Sequence, residues 1–90
     1  MTVLGLNHVT FAVTDLDRAF RFYVEVLGCR LLARWSCGAY LLAGEIWVAL
    51  DVDPNARTSQ HPDYTHIACS VTAEEFEAAA RRIRDARAVC

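Results

Sequence analysis

Alternating apolar and polar positions open the chain. From Val3 to Val13 they place Val9, Phe11 and Val13 on one face of a strand and His8, Thr10 and Ala12 on the other. Thr14 or Asp15 then supplies a helix N-cap, and Leu16, Phe20, Tyr23 and Leu27 recur at the i, i+4, i+7, i+11 spacing of one apolar stripe. Gly28 is placed to end that helix in a left-handed cap. Three short apolar and aromatic runs follow, Arg30–Trp35, Ala39–Ala43 and Ile46–Asp51, separated by the turn-like Ser36-Cys37-Gly38 and Gly44-Glu45. A polar stretch from Asp53 to Asp63, with Pro54 and Pro62, reads as a linker. Tyr64–Val71 is predicted as a further strand, with Ile67, Cys69 and Val71 on its helix-packed face. Thr72 and Glu75 have the spacing of a capping box, before a helix that buries Phe76, Ala80 and Ile83 and pairs Glu77 with Arg81 on its exposed face.

The order is β-α-β-β-β, linker, β-α. The fold class is α+β, with a mixed, curved sheet and the helices outside it. Residues 1–52 form the first module, 53–63 the linker and 64–90 the start of an incomplete second module.

A repeat runs through this order. Asn7 to Thr14 parallels Thr65 to Thr72 at a lag of 58 residues, and each copy carries one histidine, His8 or His66, followed by valine and threonine at matching positions. The strands repeat clearly; the helical stripes superpose only after a shift of about two residues. Both histidines point away from their helix layer, and two neutral imidazoles on a concave sheet suit Mn, Fe, Ni or Zn. The bland reading, a strand histidine hydrogen-bonded to a neighbour, is outweighed by the duplicated context. A carboxylate is the usual third ligand, yet of the eleven acidic residues only Glu45 approaches an inward position, and a turn claims it. His61, beside Pro62, reads as a solvated loop residue.

Trp35, Tyr40, Trp47 and Tyr64 are the other notable group. Tyr40 and Trp47 have the parity to face the cup, and Trp35 closes a strand edge. Core or dimer packing explains the tryptophans equally well, whereas the two tyrosine hydroxyls need polar partners if buried. Thr10 shares the face of His8 and is placed to donate to a metal-bound oxyanion, although threonine is also simply a good strand former. Cys69 reads as a small core residue, and Cys37 sits in a turn with no general base. The chain holds no glycine-rich phosphate loop or dinucleotide fingerprint.

Composition narrows the class. A hydrophobic fraction of 54% with net charge −2 argues against disorder and against nucleic-acid binding. So large an apolar surplus on one small domain points to a covered partner surface, and an obligate homodimer is expected. No window approaches the ~18 consecutive apolar residues of a membrane helix, and no charged-then-apolar leader opens the chain. A cytoplasmic protein with reduced Cys29, Cys37, Cys69 and Cys90 is expected, without nucleic-acid or membrane partners.

Several segments carry a resemblance. They are Gly5-Leu6-Asn7-His8-Val9-Thr10, Phe22-Tyr23 through Leu27-Gly28, Arg34-Trp35, Gly38-Ala39-Tyr40-Leu41, Ile46-Trp47 and Asp63-Tyr64-Thr65-His66. Together they resemble the vicinal oxygen chelate superfamily, whose members pair βαβββ modules around a metal, and within it the FosA-type fosfomycin resistance proteins. The resemblance implies a manganese-dependent enzyme that opens the epoxide of fosfomycin with the thiol of glutathione, and potassium as a further cation. By the same match His8 and His66 are metal ligands and Thr10 hydrogen-bonds the phosphonate. Tyr40 lies near the incoming thiol, Trp47 and Tyr64 line the antibiotic pocket, and Trp35 lines the glutathione channel. Family members are homodimers, which implies that His8 and His66 at one metal come from different chains. The family's third ligand, a glutamate, and its phosphonate and potassium ligands belong to a segment beyond Cys90, so an incomplete site is expected. Ala49 replaces a frequent cysteine and Cys37 a polar residue. The alternatives are another metalloenzyme of the superfamily, such as an isomerase or dioxygenase, a non-catalytic drug-binding module, or an inactive product held together by dimerisation.

Overall fold

The computed structural model describes residues 2–56 and 67–86. Strand β1 (His8–Val13) leads through helix α1 (Leu16–Arg21) into the antiparallel β2 (Arg30–Trp35), β3 (Gly38–Ala43) and β4 (Ile46–Val52). The sheet order is β1-β4-β3-β2, and β1 runs parallel to β4 from His8↔Trp47 to Val13↔Val52. With helix α2 (Phe76–Ala86) the architecture is α+β around a mixed sheet.

β1 is shorter than its alternation predicts. Val3, Leu4 and Leu6 are largely exposed, because β4 turns away at Gly44-Glu45 and leaves nothing to pair with them. Of the two candidate caps Asp15 acts, its carboxylate accepting from the Arg18 N–H at 3.1 Å. Past Arg21 the helix widens into a π turn (Phe22–Val26), in which the Leu27 N–H donates to the Phe22 carbonyl at 3.0 Å. The extra residue rotates the stripe, so Val24 joins Phe20 and Tyr23 against the core and Leu27 does not. Gly28, at φ +79°, ends the helix as the sequence predicts.

Leu16, Ala39, Leu41, Val48 and Leu50 form the buried cluster between α1 and the sheet, flanked by Val9, Phe11 and Val13. Leu41 and Leu50 are essentially inaccessible, and burying each contributes about 1.5–3 kcal/mol. The Phe11 and Tyr23 rings stack at 5.8 Å between centroids, fastening β1 to the helix. Near the sheet edge Arg34 lies 4.5 Å from the Phe20 ring centroid and pairs with Asp17.

The second part departs from the sequence reading. Ile67–Val71 carries no strand, and Ile67, Cys69 and Val71 are exposed instead of packed on a helix. Among the described residues no strand lies alongside to complete the backbone hydrogen bonds that make a strand. Thr72 makes no side-chain cap, and a 3₁₀ turn (Ala73–Glu75) precedes α2. Phe76 is 61% and Ile83 41% exposed, because among the described residues α2 rests mainly on the π turn, where Arg82 Nε donates to the Val26 carbonyl at 3.0 Å. The Glu77–Arg81 pair does not form; Arg34–Asp17 is the one ion pair among the described residues. No helix among the described residues is long and apolar enough to cross a membrane.

Candidate functional site

Register decides which side chains share the open face of the sheet. The pairs His8↔Trp47, Thr10↔Ala49 and Tyr40↔Ala49 put these five residues on the side away from α1. Ala49 is buried beneath its larger neighbours. It floors an open depression of about 230 Å³ whose walls are Asn7, His8, Tyr40 and Trp47. A cysteine at position 49 would fill part of that floor.

A bulge in β2 brings in the third aromatic. Leu31 pairs with Leu41 on the helix side, but the register then shifts so that Ala33 pairs with Tyr40 and Trp35 with Gly38. That extra residue turns Trp35 onto the open face and Arg34 towards Phe20, a re-aiming characteristic of bulges. Trp35, Tyr40 and Trp47 consequently form a row, with centroids 4.8 Å and 5.5 Å apart. Each keeps about two-fifths of its surface exposed, so the row is a surface for contact and not a core. Gly38 is what lets Trp35 lie flat: a Cβ there would come within 2.7 Å of the indole and 2.8 Å of the Leu50 carbonyl.

His8 stands at the other end. Its Nδ1 lies 2.8 Å from Oδ1 of Asn7. A carboxamide oxygen only accepts, so with Oδ1 facing the ring this contact selects the tautomer in which Nδ1 donates and Nε2 keeps its lone pair. One such nitrogen fits a single ligand position of a borderline divalent ion. Among the described residues no group of three or more His, Cys, Asp or Glu side chains comes together, so the remaining ligands would have to come from elsewhere.

Of the residues singled out from sequence, His8, Tyr40 and Trp47 are brought together. Thr10 shares their face but lies exposed beyond the depression, and Trp35 extends the row past Tyr40. His66, Tyr64 and His61 lie outside the described residues. The sequence alone assigns Asn7 and Gly38 no part in the site itself. The signals for them were a carboxamide directly before the histidine and a glycine opposite a tryptophan in a tight hairpin.

Away from the site, burial pushes the Tyr23 phenol up, with smaller contributions from the nearby Cys29 and Cys69 thiols. The Cys29 thiol is likewise raised, first by burial and then by Cys69.

Comparison with known proteins gives this geometry its context. Glutathione transferase FosA of Serratia marcescens is 45% identical over 84 residues, 91% of this chain and 60% of that protein. Metallothiol transferase FosB of Lysinibacillus sphaericus is 37% identical over 78 residues, 86% of this chain and 55% of that protein. The chain thus spans little more than half the length of these curated relatives. Fosfomycin resistance protein FosX from Mesorhizobium loti superposes with a TM-score of 0.78 at 31% identity, covering 93% of this chain and 68% of that one. A FosX variant from Listeria monocytogenes, complexed with Mn(II) and 1S,2S-dihydroxypropylphosphonic acid, shares the fold at a TM-score of 0.76 and 21% identity, over 93% of this chain and 70% of that one. The model of the Glyoxalase/Bleomycin resistance protein/Dioxygenase superfamily matches residues 5–89. The chain belongs to that superfamily.

Proposed function

We propose that this chain carries part of the active site of a fosfomycin resistance enzyme, which adds the thiol of glutathione to the epoxide of fosfomycin. One observation carries the reading. His8, its Nδ1 against Asn7 Oδ1, faces Tyr40 and Trp47 across an alanine-floored depression, in a chain 45% identical to a glutathione transferase FosA. In this reading residues 1–52 are the first module, 53–63 the linker and 64–90 the start of a second module.

His8 and His66 hold a divalent metal, manganese in the first instance, with potassium as a further cation. When bound, the metal supplies Lewis-acid stabilisation of the alkoxide that develops as the epoxide opens. Thr10 donates to the phosphonate. Tyr40 steadies the incoming thiol, whose sulfur forms the new C–S bond while the proton it gives up ends on the released oxygen. Trp47 and Tyr64 line the antibiotic side, and Trp35 continues the surface towards glutathione. The active form is a cytoplasmic homodimer in which His8 and His66 at one metal come from different chains. The apolar side chains left exposed on the 2–7 segment and on α2, and the thiols Cys29, Cys37 and Cys69, accord with a covered interface and a reducing compartment.

The test is consumption of fosfomycin and glutathione with and without Mn(II), measured on this chain and on a form continued past Cys90. Metal-dependent turnover that His8→Ala abolishes is the expected result. Absence of turnover in both forms, with Mn(II) and potassium present, would overturn the reading.

A further inference from the structure

We infer that Asn7 is a positioning residue for His8. It fixes which imidazole nitrogen faces the site and holds the ring against rotation. The inference deepens the metal-ligand reading of His8 and rests on it.

An exposed imidazole has two neutral tautomers and turns freely about its side-chain bonds, and the hydrogen bond made by one nitrogen determines the state of the other. His8 is exposed, and among the described residues its side chain makes a single hydrogen bond, that to Asn7. The same contact therefore sets both tautomer and orientation. Asn7 is itself held. Its carbonyl accepts from the Trp47 N–H at 3.4 Å, just beyond the first β1–β4 pair, and its side chain lines the depression beside Trp47. The backbone that carries the carboxamide is thus tied to β4, the strand that supplies the floor and one wall. A partner that holds the non-ligating nitrogen of a metal-binding histidine typically changes metal affinity roughly 10- to 100-fold when lost.

Two measurements on the whole 90-residue chain test this. The first is ¹⁵N NMR of the metal-free protein at about pH 8, above the ordinary histidine range. His8 is expected as the Nδ1–H tautomer in the unaltered chain and in Asn7→Asp, which keeps an acceptor oxygen at the same reach. Asn7→Leu, of similar size but without an acceptor, is expected to show mixed tautomers while the backbone signals of β1–β4 stay in place. The second is Mn(II) affinity. It is expected to fall about 10- to 100-fold in Asn7→Leu and to be retained in Asn7→Asp. An unchanged His8 tautomer in Asn7→Leu would overturn the inference. If His8→Ala binds Mn(II) as tightly as the unaltered chain, the ligand reading of His8 fails on its own, and the tautomer result still decides what Asn7 does to the ring.

Discussion

The two helices carry the same kind of sequence signal and are packed differently. α1 and α2 each follow a capping sequence with an apolar stripe. Leu16 and Phe20 of α1, with Tyr23 of the π turn that continues it, lie against Leu41, Val48 and Leu50, whereas Phe76 and Ile83 of α2 face outward. The difference is not in the helices themselves. Beneath α1 stands a four-stranded sheet that offers an apolar face; beneath α2, among the described residues, lies chiefly the π turn of the first helix. Amphipathicity records a helix's demand for a partner, and only the surrounding structure can meet it.

The largest test of that contrast is truncation of one apolar side chain on each side. Leu50→Ala should destabilise the chain by about 2–5 kcal/mol, read from chemical denaturation. Ile83→Ala in the same assay should cost under about 1 kcal/mol. A cost for Ile83→Ala equal to that of Leu50→Ala, and dependent on protein concentration, would show that a second copy covers α2. Capping gives a smaller contrast. Asp15→Ala removes an observed cap and should cost ~1 kcal/mol, whereas Thr72→Ala removes a side chain that caps nothing and should lie within ±0.5 kcal/mol. Thermal melts of the two variants check it.

The smallest effect concerns the thiols of the two regions. Tyr23 and Cys29 both hold their protons more tightly in the folded chain than in the unfolded one. As pH rises past about 9 the unfolded chain loses protons first, so stability should decline through the alkaline range. Denaturation midpoints between pH ~7 and ~10 should show this decline. Cys29→Ala should flatten it, and Cys69→Ser should flatten it less, since burial outweighs Cys69 as the cause.

Much of the first part is written in its alternation. The face of His8, Thr10 and Ala12, the hairpin breaks at Ser36-Cys37 and Gly44-Glu45, and the left-handed Gly28 all follow from local periodicity and turn chemistry. Parity alone was enough to bring His8, Tyr40 and Trp47 together. The position of Trp35 was not legible in the same way. A regular β2 would send Leu31, Ala33 and Trp35 to one face, and only the bulge, a property of two strands in register, separates them. The π turn escaped for a related reason, since it shifts the stripe by one residue without altering composition. Ile67–Val71 shows the converse. A strand-like pattern makes a strand only where another strand accepts its hydrogen bonds. Asn7 and Gly38 owe their importance to a single contact each, which no periodicity announces.

The parallel pairing of β1 with β4 has a consequence for how the molecule assembles. The antiparallel strands β2, β3 and β4 can zip through two short turns, but His8 and Trp47 meet only when the chain closes the longest loop in the described sheet. That closure carries the main entropic cost of the topology and favours late formation. A hairpin intermediate would already possess the aromatic row, yet it would lack the histidine wall. Completion of the fold and creation of the depression are therefore the same event, and a half-folded chain presents no imidazole beside its aromatic surface.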